Sequence, residues 1–196
     1  MKIKIENIKL KSEKVEIGRT YDKCLAWFFA YPKIKTGLTE LSLSIQSSKT
    51  ATKEAVEALL KREFLLREIV GKAWILSVNQ KHRYFVARKM PYHLDRIYQS
   101  GIVEAVYRII PQAKAIILFG SYRWGSDDEK SDIDIAVEVL GNKELKITRL
   151  GIIERLGYRK KVPVNLHIFS RNKIDLNLFA NIVNGIVLDG FLEVKV

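Results

Sequence analysis

A chain of 196 residues, 47% hydrophobic and 29% charged, has the material for one folded domain or two small ones, and no tract biased toward disorder. Its apolar runs are short and its start, MKIKIENIKLKSEK, alternates charge with isoleucine, so neither a membrane span nor a secretion signal is expected. The net charge of +12 is unevenly divided, residues 1–90 holding nineteen Lys and Arg against nine Asp and Glu, and residues 91–196 fifteen against thirteen. A basic half beside a nearly neutral half suggests that one unit meets a polyanion; the alternative is a Lys-rich, solubilising surface. The single cysteine, Cys24, excludes an internal disulfide and, lying in an apolar run, reads as a buried thiol in a cytoplasmic protein.

Residues 1–20 alternate Ile3, Ile5, Ile8 and Leu10 with Lys and Glu, the pattern of an edge strand or an arm. Residues 21–30 are apolar at helical spacing and stop before Pro32. Residues 39–45 suggest a second short helix, although Leu41, Leu43 and Ile45 alternate as a strand would. The polar stretch 46–50 then offers N-caps for a third helix over 51–63, with Ala51, Ala55, Ala58 and Leu59 as its apolar face. Residues 64–69 and 73–78 are β-prone runs separated by Val70-Gly71-Lys72, which predicts a hairpin.

Three helices followed by a hairpin over residues 21 to 85 resemble the winged helix-turn-helix family, in pattern rather than through a diagnostic residue. The resemblance implies a duplex DNA partner, the third helix entering the major groove and the wing touching the flanking backbone. Carried over by position, the nucleic-acid-binding candidates are Lys49, Thr50, Thr52 and Lys53 at the exposed start of the third helix, with Arg67 and Lys72 in the wing. Lys81, His82 and Arg83 add charge beyond it. A helical protein-interaction module with solvated lysines is the other reading.

Met90-Pro91 suggests a boundary, because the residue before proline is pushed out of the helical region. Beyond it Leu94, Ile97, Tyr98, Ile102, Val103, Val106, Tyr107 and Ile110 recur at helical spacing, with an interruption at Ser100-Gly101. Residues 115–119 form a short apolar run ended by Gly120-Ser121, a buried strand delivering a tight turn. Glycine there lets backbone N–H groups approach a phosphate, Ser121 adds a hydroxyl, and Gly125 keeps the following loop open. Ten residues after Ser121 comes Ser131-Asp132-Ile133-Asp134. In a strand, Asp132 and Asp134 share one face, and two adjacent carboxylates repel unless a cation lies between them. Hard oxygen ligands completed by substrate phosphates suit magnesium.

Phe119-Gly120-Ser121-Tyr122-Arg123-Trp124-Gly125 followed by Ser131-Asp132-Ile133-Asp134 resembles the signature of the minimal nucleotidyltransferases of the DNA polymerase beta superfamily. The resemblance implies a triphosphate held at Gly120, Ser121, Arg123 and Gly125, and Mg2+ held by Asp132 and Asp134 as catalytic residues. It also implies transfer of a nucleoside monophosphate from an NTP with pyrophosphate as leaving group. The family places a third carboxylate on a later strand; here residues 162–169 are that strand and the position holds Asn165, a neutral metal-ligand candidate that cannot act as a base. His167, on the same face, is the other group able to accept a proton. Residues 176–188 read as a helix capped by Gly185 and then a final strand.

The expected fold is α+β: an arm over 1–20, a winged helix-turn-helix domain over 21–90, and an α/β nucleotidyltransferase domain with a mixed sheet over 91–196. Two functions stay open. The first is a magnesium-dependent transferase acting on a hydroxyl of a protein, nucleic acid or small molecule, a protein acceptor being implied by antitoxin members of the family that adenylylate a toxin. The second is a DNA-binding transcriptional regulator whose degenerate transferase domain senses nucleotide or mediates homodimer formation.

Overall fold

The computed structural model describes residues 8–10 and 19–193. The chain divides into two compact units, Lys14–Tyr92 and His93–Val196, the latter joined by strand β1 (Ile8–Leu10). Beyond that strand and the start of the first helix, the arm expected over residues 1–20 lies outside the described residues. Among the described residues no helix is long and apolar enough to cross a membrane.

In the first unit, α1 (Thr20–Ala30) buries every side chain from Cys24 to Ala30. Strand β2 (Thr36–Gly37) leads into α2 (Leu38–Ser44), which settles the ambiguous spacing as a helix. Leu41 and Ile45, four apart, are buried on one face, while Leu43 is 74% exposed. Helix α3 (Lys49–Lys61) is capped by Ser48, whose Oγ accepts from the Ala51 N–H at 3.2 Å. Its buried face is Thr52, Ala55, Val56 and Leu59, not the alanine-based face expected: Ala58 is exposed and Ala51 half-buried. Strands β3 (Leu65–Val70) and β4 (Ala73–Val78) form the hairpin, turning at Gly71-Lys72 where Gly71 has φ +61°. Strand β2 pairs antiparallel with β4, giving a three-stranded sheet in the order β2-β4-β3.

Pro91 does not end a helix as expected, for α4 (Phe85–Gln99) runs through it. Proline's fixed φ is helical. What it removes is one hydrogen bond to the carbonyl of Ala87, an exposed residue that water can satisfy. Gly101, with φ +73°, then separates α4 from α5 (Ile102–Ile109).

The second unit continues with β5 (Ala115–Phe119), α6 (Ser121–Trp124), β6 (Ile133–Glu138), β7 (Lys146–Leu156), β8 (Arg159–Phe169), α7 (Leu176–Val183) and β9 (Ile186–Gly190). The sheet is mixed, in the order β1-β7-β8-β6-β5-β9, with β6 parallel to β8 and β1 parallel to β7. Two apolar layers sandwich it. Ile116, Leu118, Ile133, Ile135, Val164 and Leu166 pack with Ile97, Ile102 and Val106 of α4 and α5. On the other face Ile117, Phe119, Ala136 and Phe169 pack with Ile182 of α7. Burial on both faces explains why β5 reads as an unbroken apolar run.

Candidate functional site

The Gly-Ser turn and the two aspartates meet at one end of the sheet because β5 and β6 pair antiparallel with Phe119 opposite Asp134. Gly120 has φ +71° and ψ −152°, a conformation essentially reserved to glycine, and Gly125 closes α6 with φ +68°. The Gly120 carbonyl accepts from the N–H of Arg123 at 3.1 Å and of Trp124 at 3.3 Å, so the turn is wound tight directly after the strand. Ser131 shapes the connection to β6: its Oγ accepts from the Asp128 N–H at 3.0 Å and lies 3.1 Å from Asp128 Oδ1. Asp132 and Asp134 follow, partly exposed, while Ile133 and Ile135 are fully buried.

One row across the sheet reads Phe119, Asp134, Asn165, Arg149. Asn165 Nδ2 donates to Asp134 Oδ1 at 3.1 Å and to Asp132 Oδ2 at 3.3 Å, so one neutral amide bridges both carboxylates. His167 Nε2 lies 3.3 Å from Asp134 Oδ1, with its ring edge-on to Phe119. A carboxylate only accepts, so Nε2 is the protonated nitrogen, and Nδ1 is buried without a hydrogen-bond partner among the described residues. In this arrangement His167 orients Asp134 and is not poised as a base toward an acceptor.

Arg149 supplies what sequence reasoning missed: its Nη2 lies 3.6 Å from Asp132 Oδ2. It belongs to β7, an eleven-residue strand for which the sequence reading gave no element. Behind the turn lies a second group of unpredicted polar residues. Tyr122, in α6, accepts a short hydrogen bond from the buried Arg159, whose Nη2 also donates to the Glu129 carbonyl at 3.1 Å. Burial pushes the Tyr122 hydroxyl well above its ordinary range, so it stays protonated. His93 and Asp127, both buried, approach to 3.3 Å.

Arg123 is turned toward α7, its Nε donating to the Asn184 carbonyl at 2.9 Å, which ties the Gly-Ser turn to the end of that helix. In the first unit Lys49 and Thr50 are exposed at the start of α3. Thr52 is 0% exposed, and its hydroxyl donates to the Ser48 carbonyl at 2.8 Å, so it is a core residue and not a nucleic-acid contact. Lys53 and Arg67 both lie over the Trp74 ring, at 5.8 and 4.5 Å from its centroid, and Lys72 is exposed in the hairpin turn.

The oxygens of Asp132 and Asp134 form a hard donor set, and the amide bridging them supplies no charge. Among the described residues no group of three or more His, Cys, Asp or Glu side chains is placed to hold a metal ion. Residues 99–187 match the family model of a nucleotidyltransferase domain. The mixed sheet flanked by helices fits that family, and nucleotidyl transfer is the general activity it indicates. The match spans the Gly-Ser turn, both aspartates and Asn165 of the nucleotidyltransferase domain. No curated protein matches the chain.

Proposed function

We propose that the nucleotidyltransferase domain is a magnesium-dependent transferase that moves a nucleoside monophosphate from an NTP to an acceptor hydroxyl. The observation that carries it is the packing of the Gly120 turn so close to Asp134 that a Cβ would not fit, which sets a backbone turn able to take a phosphate beside a carboxylate pair. Asp132 and Asp134 would hold the metal. Asn165 can join them by a half-turn of its amide that presents Oδ1 in place of Nδ2. Magnesium, when bound, neutralises phosphate charge and orients the phosphate oxygens. Gly120 and Ser121 bind the triphosphate, with Gly125 keeping the turn open and Arg123 bracing it against α7. The acceptor oxygen bonds to the α-phosphorus as the bond to the β-phosphate oxygen breaks and pyrophosphate leaves. With no carboxylate at position 165 and His167 Nε2 already protonated, the hydroxyl proton passes to water, which favours a slow transferase.

The first unit is read as a cytoplasmic winged helix-turn-helix domain on duplex DNA. Three helices, a hairpin and the additional pairing of β2 with β4 support that reading, as do the exposed Lys49, Thr50 and Lys72. Arg67 and Lys53, gathered at Trp74, lie on the same α3-and-hairpin surface.

A second reading is favoured by the contacts that already engage the carboxylates, the Arg149 guanidinium by charge and Asn165 and His167 by hydrogen bonds. It is a DNA-binding regulator in which the domain binds nucleotide, or a second copy of the chain, without turnover. Incubation with each α-labelled NTP and magnesium, with and without cell lysate, separates the two. Label transferred to a protein, nucleic acid or small molecule supports the transferase. A thermal shift by magnesium and NTP without label transfer supports the nucleotide-binding regulator. Absence of both signals overturns the transferase and the nucleotide-binding regulator, leaving only pairing with a second copy, which sedimentation of the chain tests.

A further inference from the structure

The first unit contains a concavity of about 660 Å³ whose wall holds Arg62, Arg83, Arg88, His82, Phe64 and Tyr84. That volume lies within the range of small-molecule pockets. It sits at the C-terminal end of α3, where Arg62 is the cap residue, and at the first turn of α4. Helix α3 has thirteen residues, which places this end about 18 Å from Lys49. It is therefore remote from the Lys49 end of the proposed DNA surface.

The charges here are gathered without an opposing one. Tyr21 Oη accepts from Arg62 Nη1 at 3.3 Å and from Arg88 Nη1 at 3.4 Å, holding two guanidinium groups side by side. Arg83 lies over the Tyr84 ring at 4.4 Å, and Arg88 over Phe64 at 5.6 Å. Among the described residues none of the three arginines pairs with a carboxylate, and the first turn of α4 carries no acid. A cation at the end of α3 complements the helix dipole, which accounts for Arg62. The same rule disfavours Arg88 at the start of α4. Holding like charges together costs stability in the free protein and is offset when an anion joins them.

The aromatic groups narrow the class of anion. His82 lies against Phe64 with ring centroids 4.0 Å apart and planes tilted by 40°, and Tyr84 is 48% exposed. Inorganic phosphate would use the guanidinium groups alone and leave these surfaces and most of the volume empty. The geometry points to a second ligand site, in the Lys14–Tyr92 unit, that takes a nucleotide by its phosphate between Arg62, Arg83 and Arg88 with its base against Tyr84. The ligand is a free nucleotide or the 5′-terminal nucleotide of a strand, since both present the same phosphate and base.

The test uses the full-length chain in EDTA and measures fluorescence anisotropy of a short single-stranded oligonucleotide, 3′-labelled, with a 5′-phosphate or a 5′-hydroxyl. AMP, adenosine and inorganic phosphate serve as competitors. The 5′-phosphorylated strand is expected to bind roughly tenfold more tightly than the 5′-hydroxyl strand, as loss of one charge-assisted contact set implies. AMP should compete better than phosphate, and adenosine should not compete. Competition by AMP at low concentration identifies the free nucleotide as the ligand, and preference for the strand identifies its 5′ end. Arg62→Gln with Arg88→Gln should abolish the phosphate preference. Arg83→Gln, which gives up only a ring contact, should weaken it without unfolding the unit, and Asp134→Asn should leave it in place. Equal binding of the two strands, with AMP no better a competitor than inorganic phosphate, overturns the proposal, as does an equal loss for both strands in the arginine variants, which would mark a general backbone contact. Loss of AMP binding in Asp134→Asn overturns it as well, by placing the ligand in the C-terminal unit.

Discussion

Gly120 leaves the space that Asp134 occupies across the β5–β6 pair: a Cβ on Gly120 would stand 2.8 Å from Asp134 Oδ2. The same glycine has φ +71° and ψ −152°. Replacing it therefore strains the backbone and displaces a carboxylate at once. Gly120→Ala is expected to lower stability by about 1–3 kcal/mol and to abolish any thermal shift produced by magnesium and NTP. Gly71→Ala is the control, because Gly71 has φ +61° and nothing within 4 Å of an added Cβ. It should be destabilised while keeping the ligand-dependent shift. If Gly120→Ala retains that shift, the turn is not a phosphate site.

Asn165→Asp removes the amide that donates to both Asp132 and Asp134 and puts a third anion beside them. Without divalent metal the melting temperature should fall, since three carboxylates then repel. Magnesium should raise it by more than in the parent protein, and label transfer from NTP should increase. Differential scanning fluorimetry across a magnesium titration reads the first two effects. An unchanged metal response would show that position 165 does not face a metal site.

At the start of α3 the sequence presents four polar residues, of which burial removes one. Lys49→Ala with Lys53→Ala should reduce the salt dependence of duplex binding by about 2 in log-log slope, close to one unit per lost phosphate contact. Thr52→Val should lower stability, because the buried hydroxyl donates to the Ser48 carbonyl, and leave DNA affinity per folded molecule unchanged. Weaker binding by folded Thr52→Val protein would return that residue to the interface.

Burial pushes the Cys24 thiol from an ordinary 9.0 up to about 12. The folded state therefore holds the proton more tightly than the unfolded state. The contribution is complete below pH 9.0 and is lost progressively as pH rises toward about 12. Cys24→Ala should show a shallower loss of stability over that alkaline range in urea titrations. Alkylation of Cys24 in native protein should be slow and follow the opening of the fold, and rapid alkylation at neutral pH would contradict its burial.

The elements that the sequence alone determined are those whose signal is local. The apolar run of β5, the helical spacing of α1 and the Gly-Ser turn with its two aspartates are each written within a few neighbouring residues, because strand, helix and turn preferences act over that range. Asn165 is singled out by the family resemblance, which places a third carboxylate on this strand, but its hydrogen bonds to Asp132 and Asp134 depend on β8 lying parallel to β6 with Asn165 opposite Asp134. Arg149 reaches Asp132 only because β7 pairs on the far side of β8. Thr52 shows the limit most plainly. Its polarity predicts exposure, yet helix α3 turns its buried face through Thr52, Ala55, Val56 and Leu59, and the Ser48 carbonyl satisfies the hydroxyl there. Register and facing come from long-range packing, where the free energy of burying a whole layer outweighs the preference of any one side chain, so only the tertiary structure decided them.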